Sequence, residues 1–328
     1  MDDIEQGNIS PELIRLAYRL FLDREPESEE VVAEKQARLS SLRQLREEFL
    51  RSDEFRLKTI RLPSLSGDEP TMPIEDAHTQ AHLERLFSHI QQTWQHLGEI
   101  DPYWSVLTNE AFLVGNIENT KETFYNTGEA NVARLIKTLD RNDIDYHSLR
   151  LCLDYGCGVG RTVLWLSKRF EEVIGYDISK SHLDLAKSYL SRVLRQNITL
   201  RHITGLSDIE NLPKVDLIYS VIVLRHNPPP IIGFTIRQFM RALNPGGVAY
   251  FQVPTYRMGY RFSIRDYLCS DAKKQGLEMH VFPQKKIFEI VEDEGARTVE
   301  VLEDMWTGSR QGDKEISNTF LVQKMPTG

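Results

Sequence analysis

Leu13, Leu16, Ala17, Leu20 and Phe21 return every three to four residues, the spacing of one helix face. Ser10-Pro11 stands just ahead: a capping hydroxyl, then a proline at the first helical position. The run "DREPES" breaks this pattern, Ser28 can cap a second helix, and "SSLRQLREEFLRSDEF" follows as a third. Residues 10–55 therefore predict short amphipathic helices that bury their faces on one another, a small all-helical domain over residues 1–60.

"RLPSLSGDEPTMP", residues 61–73, is rich in proline, serine and glycine and reads as a linker. A connecting amphipathic helix is predicted over 74–100. Its Leu83, Phe87, Ile90, Trp94 and Leu97 alternate steps of four and three, a short seam of coiled-coil type over 74–97. The seam can pack on the main domain or pair with a second copy as a homodimer. His78, His82, His89 and His96 share the opposite face. The i,i+4 spacing of His78 and His82 would allow metal ligation, but no carboxylate-plus-histidine cluster of ligand type accompanies them, so they read as a solvated face and no metal site is expected.

From about residue 130, helical and strand periods alternate. Helix-like "NVARLIKTLDRN", "RTVLWLSKRF", "KSHLDLAKSYLSRV" and "IIGFTIRQFMRALNPGG" interleave with strand-like "LRLCLDYG", "EVIGYDIS", "ITLRHITG", "VDLIYSVIVLRH" and "VAYFQVP". Alternation of this kind implies crossover units and a parallel sheet covered by helices. "RTVEVLEDMW" and "NTFLVQK", joined by "TGSRQGDKEIS", add an antiparallel hairpin. The fold class is α/β: a Rossmann-like, doubly wound, mostly parallel sheet over 101–328, with a C-terminal antiparallel hairpin.

Length and charge narrow the function. A chain of 328 residues exceeds one average domain. A formal net charge of -8 argues against broad nucleic-acid binding. Three cysteines without a CxxC pair point to a reducing compartment and no disulfide framework. The acidic, polar start is unlike a signal peptide, and no apolar run reaches the roughly 18 residues of a membrane span. A soluble, cytoplasmic protein without an integral membrane segment is expected.

The chemistry centres on "LDYGCGVGR", residues 153–161. Gly156, Gly158 and Gly160 follow a strand that ends near Asp154, and a helix is expected from Arg161. At a strand's carboxyl end they let backbone approach a ligand. The spacing is GxGxG, not the GxGxxG of dinucleotide sites. Asp154 would repel a pyrophosphate and suits a ligand carrying positive charge. S-adenosylmethionine carries a sulfonium and an ammonium. Asp177 ends the next strand, 17 residues after Gly160, where an acid can accept from both ribose hydroxyls of an adenosine.

Residues 125–325 resemble the class I S-adenosylmethionine-dependent methyltransferases. "LDYGCGVGR" is similar to that family's first motif, "GYDIS" to its acidic second-strand motif, "VDLIYSVIVLRH" to its fourth-strand motif and "RALNPGGVAYFQVP" to the segment that follows. The resemblance implies that Asp154, Gly156 and Gly158 line the methionine part of the cofactor. Gly160 closes the same motif. It implies that Asp177 holds the ribose and Ile178 packs on the adenine, with Leu206, Ser207 and Asp208 near the adenine. Ser220 and Val221 border the sulfonium. "FYNTG", residues 124–128, precedes the domain's first helix and brings Tyr125 or Gly128 to the amino-acid end; Tyr125 reads equally as a packing aromatic. Arg161 either pairs with the cofactor carboxylate or solvates a helix face. The segments "YRLFLDREPE" and "FLRSDEF" resemble a small bacterial helical domain found with exopolysaccharide enzymes, without the glycine and tryptophan usual between them.

For a hydroxyl acceptor a base is needed, and histidine is suited to it. His226 and His280 are the candidates, each with an alternative role as a loop tether; Asp304 is a third. Residues 254–283 form a substrate-side insertion, with Tyr256, Arg257, Tyr260, Arg261, Arg265 and Tyr267 to stack on a sugar ring and grip a carboxylate or phosphate. Tyr103 and Trp104 in 101–113 supply a second wall. The expected activity is methylation of a hydroxyl on a saccharide or small cell-surface precursor. The alternatives are N- or O-methylation of another small molecule, or a cofactor-binding scaffold in a polysaccharide-synthesis assembly.

Overall fold

The computed structural model describes residues 9–58, 65, 67–192, 196–269, 277–304 and 314–326. Most of the loop read between the last two strands lies outside the described residues. So do 270–276 of the insertion and 61–64 and 66 of the linker. The chain divides into two units, Met1–Ser66 and Gly67–Gly328.

The first unit packs α1 (Pro11–Leu22), α2 (Glu29–Arg38), α3 (Leu42–Arg51) and α4 (Asp53–Lys58). Ser10 Oγ accepts the Leu13 amide and starts α1 as read. The third predicted helix is two. Ser52 ends α3, and its Oγ accepts the Phe55 amide to start α4. Ile14, Tyr18, Val32, Leu45 and Phe49 form the core. Tyr18 meets Phe49 edge-on at 4.9 Å between ring centres. Arg24 forks onto both oxygens of Glu54 at 2.7 Å each.

The second unit opens with α5 (Gln80–Ile100), α6 (Pro102–Val106) and α7 (Ile117–Arg141). A sheet region follows: β1 (Leu151–Tyr155), α8 (Val163–Leu166), β2 (Glu172–Asp177), α9 (Lys180–Arg192), β3 (Ile198–His202), α10 (Leu206–Glu210) and β4 (Val215–Ser220). It continues with α11 (Pro229–Ala242), β5 (Leu243–Arg257), α12 (Ile264–Cys269), α13 (Gln284–Asp293), β6 (Ala296–Asp304) and β7 (Glu315–Lys324). The seven strands lie in the order β3-β2-β1-β4-β5-β7-β6. The first five are parallel, and β7 runs antiparallel to both β5 and β6. Side chains alternate across the sheet: Leu153, Tyr155 and Ile218 enter one core, and Cys152, Leu217 and Tyr219 the other. The chain turns from one half of the sheet to the other between β1 and β4, the place where such sheets bind ligands.

Three local expectations are corrected. The helix predicted from residue 74 begins at Gln80, where Thr79 caps it; Ile74 instead bridges to Phe262 in an extended segment. Its seam is covered within the unit, since Leu83, Leu86, Phe87 and Ile90 join the core with Ile231 and Ile232. That leaves no free apolar seam there for a second copy. "FYNTG" does not precede the domain's first helix but lies inside α7, because Phe124, Tyr125, Val132, Leu135 and Leu139 keep one helical face buried. The helix expected over 161–170 is regular only at Val163–Leu166. Bonds of i→i+3 type from Lys168 to Trp165 and Arg169 to Leu166 tighten its end.

Candidate functional site

A cavity opens at the carboxyl ends of β1, β2 and β4, under α5 and α6. The glycine turn forms its floor. The amides of Gly156 and Cys157 both donate to Tyr176 O, at 2.8 and 2.9 Å, which binds the turn to the end of β2. Gly156, Gly158 and Gly160 have φ of 77°, 54° and 83°, left-handed backbone that a side chain would strain. Gly158 N donates to Asp177 Oδ2 at 2.7 Å, and Ser179 N to Asp177 Oδ1 at 2.8 Å.

Asp154 is 2% exposed, and Thr162 Oγ1 donates to its Oδ2 at 2.5 Å. Burial pushes its carboxyl up to about 7; the Asp177 charge adds to the rise, and Thr162 and the Arg161 guanidinium oppose it. Arg161 is buried too, and its guanidinium is depressed by that burial. Nη1 donates to Thr127 Oγ1 at 3.2 Å, while Nε has no partner. His182, also buried, contacts Pro102 O at 3.1 Å and Ser105 Oγ at 3.0 Å through Nε2. Its Nδ1 has no hydrogen-bond partner and lies 4.0 Å from Asp177 Oδ1. Burial holds the imidazole toward its neutral form.

The far wall follows β4. Ile222 has φ of 64°, a strained position for a β-branched residue, and its amide donates to Gln252 Oε1 at 3.1 Å. Val221, Ile222 and Val223 then all line the cavity. A Cβ built on Gly156 would lie 2.4 Å from Val223 Cγ1, and one on Gly158 2.8 Å from Val106 Cγ2. These two valines lie over the glycines.

Of the residues expected at the site, Asp154, Gly156, Gly158, Arg161, Asp177, Ile178 and Val221 line the cavity. The others stand behind it or away from it. Tyr125 is fully buried, stacks on Tyr189 at 3.5 Å, and donates its hydroxyl to Val159 O at 3.0 Å, bracing the turn from behind. Gly128 admits the turn's backbone against α7: a Cβ there would meet Arg161 O at 2.4 Å. Gly160 packs toward Leu190 of α9. Ser220 donates to Tyr155 O at 3.1 Å inside the sheet. Leu206, Ser207 and Asp208 form α10, where Asp208 accepts from Thr204 and Gly205; Ile203 reaches the cavity in their place.

Neither candidate histidine lines this cavity. Burial drives the conjugate acid of His226 down to about 3, and its Nδ1 is 2.7 Å from Glu278 O. It stands edge-on to Trp94 at 5.2 Å. His280 lies in a neighbouring cleft, with Nδ1 2.8 Å from Tyr260 Oη and Nε2 3.2 Å from Glu278 Oε2. Asp304 accepts from Thr319 Oγ1 at 2.7 Å on β6. Sequence reasoning missed Thr162 and His182, although both lie in the helix-like segments that follow the quoted motifs. It also missed Val106, Ile203 and Val223, which only tertiary packing brings here.

The donor set suits S-adenosylmethionine. Asp154 and Asp177 match the charge of its cationic groups and the donors of its ribose. The unpartnered Nε of buried Arg161 awaits an acceptor such as a carboxylate. Among the described residues, no group of three or more metal-ligating side chains converges.

Comparison with known proteins agrees. Residues 152–247 match the methyltransferase domain family. The methyltransferase GfsG of Streptomyces halstedii is 30% identical over 100 residues, which is 29% of this chain and 34% of that protein. The chain thus spans about a third of the length of that curated relative. The structure of magnesium protoporphyrin IX methyltransferase from Synechocystis PCC 6803 with bound S-adenosylhomocysteine matches 72% of this chain and 99% of its own, at 18% identity and a TM-score of 0.50. The N-methyltransferase NodS of Bradyrhizobium japonicum WM9, also with S-adenosylhomocysteine, matches 72% and 98% at 15% identity and a TM-score of 0.44. Residues 152–247 thus carry a methyltransferase domain, and the sheet that holds it has the fold of an S-adenosylmethionine-dependent methyltransferase.

Proposed function

We propose that this chain methylates a hydroxyl of a saccharide or small cell-surface precursor, with S-adenosylmethionine as donor. One observation supports the methyl-donor part of the reading: two buried carboxylates, a glycine turn and a buried guanidinium with an unpartnered Nε meet in one cavity at the sheet's switch point. Asp177 would hold the ribose hydroxyls, Arg161 the carboxylate and Asp154 the cationic end, with Ile178 and Ile203 beside the adenine. Bound there, S-adenosylmethionine supplies a methyl group on a cationic sulfur.

The chain's own contribution is to orient and to exclude water. Val221, Ile222 and Val223 wall the cavity with apolar groups next to Asp154. His226 is too weak a base to accept a hydroxyl proton, with its conjugate acid near 3. We assign that proton to His280. Glu278 orients one ring nitrogen and Tyr260 holds the other, the arrangement of a base steadied by a carboxylate.

The test is calorimetric titration with S-adenosylhomocysteine, then methyl transfer from labelled S-adenosylmethionine to host saccharide and glycolipid fractions. Binding with transfer to a saccharide supports the reading. Binding with transfer only to other small molecules removes the saccharide part, and failure to bind removes the whole.

A further inference from the structure

We infer that the cleft lined by Tyr260, Phe262, Tyr267 and Glu278 is the acceptor site, and that it takes a neutral or amino-bearing polyhydroxylated ring and turns away an anionic one. The inference rests on the methyltransferase reading above and adds the acceptor's place and charge class.

The cleft has three aromatic walls, Tyr260, Phe262 and Tyr267, the flat apolar faces on which a sugar ring stacks. A chain of polar groups closes it. Tyr260 Oη lies 2.8 Å from His280 Nδ1, His280 Nε2 lies 3.2 Å from Glu278 Oε2, and Tyr267 Oη donates to the same oxygen at 2.6 Å. An ionised carboxylate only accepts, so Glu278 favours a ligand rich in donors.

The balance of charge excludes an anion. Among the described lining residues, Asp266 and Glu278 are acids and Arg261 is the one arginine, exposed to solvent. The arginines expected to grip a carboxylate or phosphate do not converge. Arg257 pairs with Glu315 at 2.7 Å and donates to Met279 O at 3.1 Å, and Arg265 is exposed and outside the lining.

Position links the cleft to the cofactor cavity. Tyr267 and Glu278 also line a small pocket that His226 borders. Ile90 and Trp94 line both that pocket and the cofactor cavity, so the two lie on either side of the same side chains.

The test uses the full chain saturated with S-adenosylhomocysteine and saturation-transfer NMR with glucose, glucosamine and glucuronate. Glucose and glucosamine are expected to receive saturation, and glucuronate to bind about tenfold more weakly, as like-charge repulsion implies. Glu278→Gln, nearly isosteric, should shrink the glucosamine-to-glucuronate preference about fivefold or more by removing that charge. Tyr267→Phe, which keeps the ring and removes the donor, should alter the preference and leave S-adenosylhomocysteine affinity unchanged. Glucuronate binding as well as glucosamine, no effect of either variant, or no signal from any of the three sugars would each overturn the inference. A wild-type chain that does not bind S-adenosylhomocysteine brings down the methyltransferase reading instead.

Discussion

The amide of Gly158 donates to the carboxylate of Asp177 at 2.7 Å, so the tip of β2 and the turn after β1 form one rigid piece. Asp177 therefore sets the turn's shape as well as lining the cavity. Asp177→Asn keeps the size and removes the charge. Its affinity for S-adenosylhomocysteine should fall by about 1.5–3 kcal/mol, the range for hydrogen bonds to a charged group. Calorimetry checks this, and an affinity within twofold of wild type would show that Asp177 does not hold the ligand.

Asp154 gives a pH signature. Its carboxyl rises from 3.8 to about 7 on folding, mainly through burial. The folded chain keeps a proton that the unfolded chain has lost, so this group's contribution to stability is full below about pH 4 and is lost as pH rises through 7. A cationic ligand beside it favours the ionised form. S-adenosylmethionine should therefore bind about tenfold more tightly at pH 8 than at pH 5.5, with proton release on binding. Titrations in two buffers of different ionisation enthalpy measure both effects. Asp154→Asn should flatten the profile; a flat wild-type profile sinks the assignment.

Val106 and Val223 lie over the glycine turn. A ligand approaching that backbone must displace them. Val106→Ala removes two methyl groups from the path and should speed S-adenosylhomocysteine association, with a gain of about 1 kcal/mol, the low end of relieving an overfilled site. Stopped-flow fluorescence follows it. Slower association would mean that Val106 holds the ligand instead of obstructing it.

Gly128 has a role of a different kind. Alanine there would set Cβ 2.4 Å from Arg161 O and 2.9 Å from Trp165 Cδ1. Gly128→Ala should cost about 1–3 kcal/mol of stability, as overpacking does. The four tryptophans, Trp94, Trp104, Trp165 and Trp306, all fall after the first unit, so their fluorescence during urea unfolding reports the second unit alone. A midpoint equal to wild type would refute the packing role.

The parallel sheet was legible because its strands and crossover helices carry their own periods, and the residues flanking Asp154 and Asp177 were legible because a ligand-facing turn needs glycine and an acid locally. What was not legible depends on approach from far along the chain. Nothing near Gly98 announces that α5 crosses so closely that a Cβ there would lie 2.4 Å from Ser179 Oγ. His226 and His280 looked alike in sequence. Burial against Trp94 separates one, and contact with Tyr260 and Glu278 the other. Tyr125 and Gly128 were placed near the right turn but on its rear, because the sequence does not say which side of a glycine loop a helix covers.

Helix α5 lends Ile90 and Trp94 to two compartments at once. Any shift of those side chains that admits one ligand alters the space open to the other. Where the proposed acceptor reaches the second compartment, its binding is coupled to that of the cofactor, and the coupling is reciprocal: the factor by which a bound cofactor changes acceptor affinity equals the factor by which the acceptor changes cofactor affinity. Measuring either one fixes both, so the acceptor can be sought through its effect on a cofactor titration.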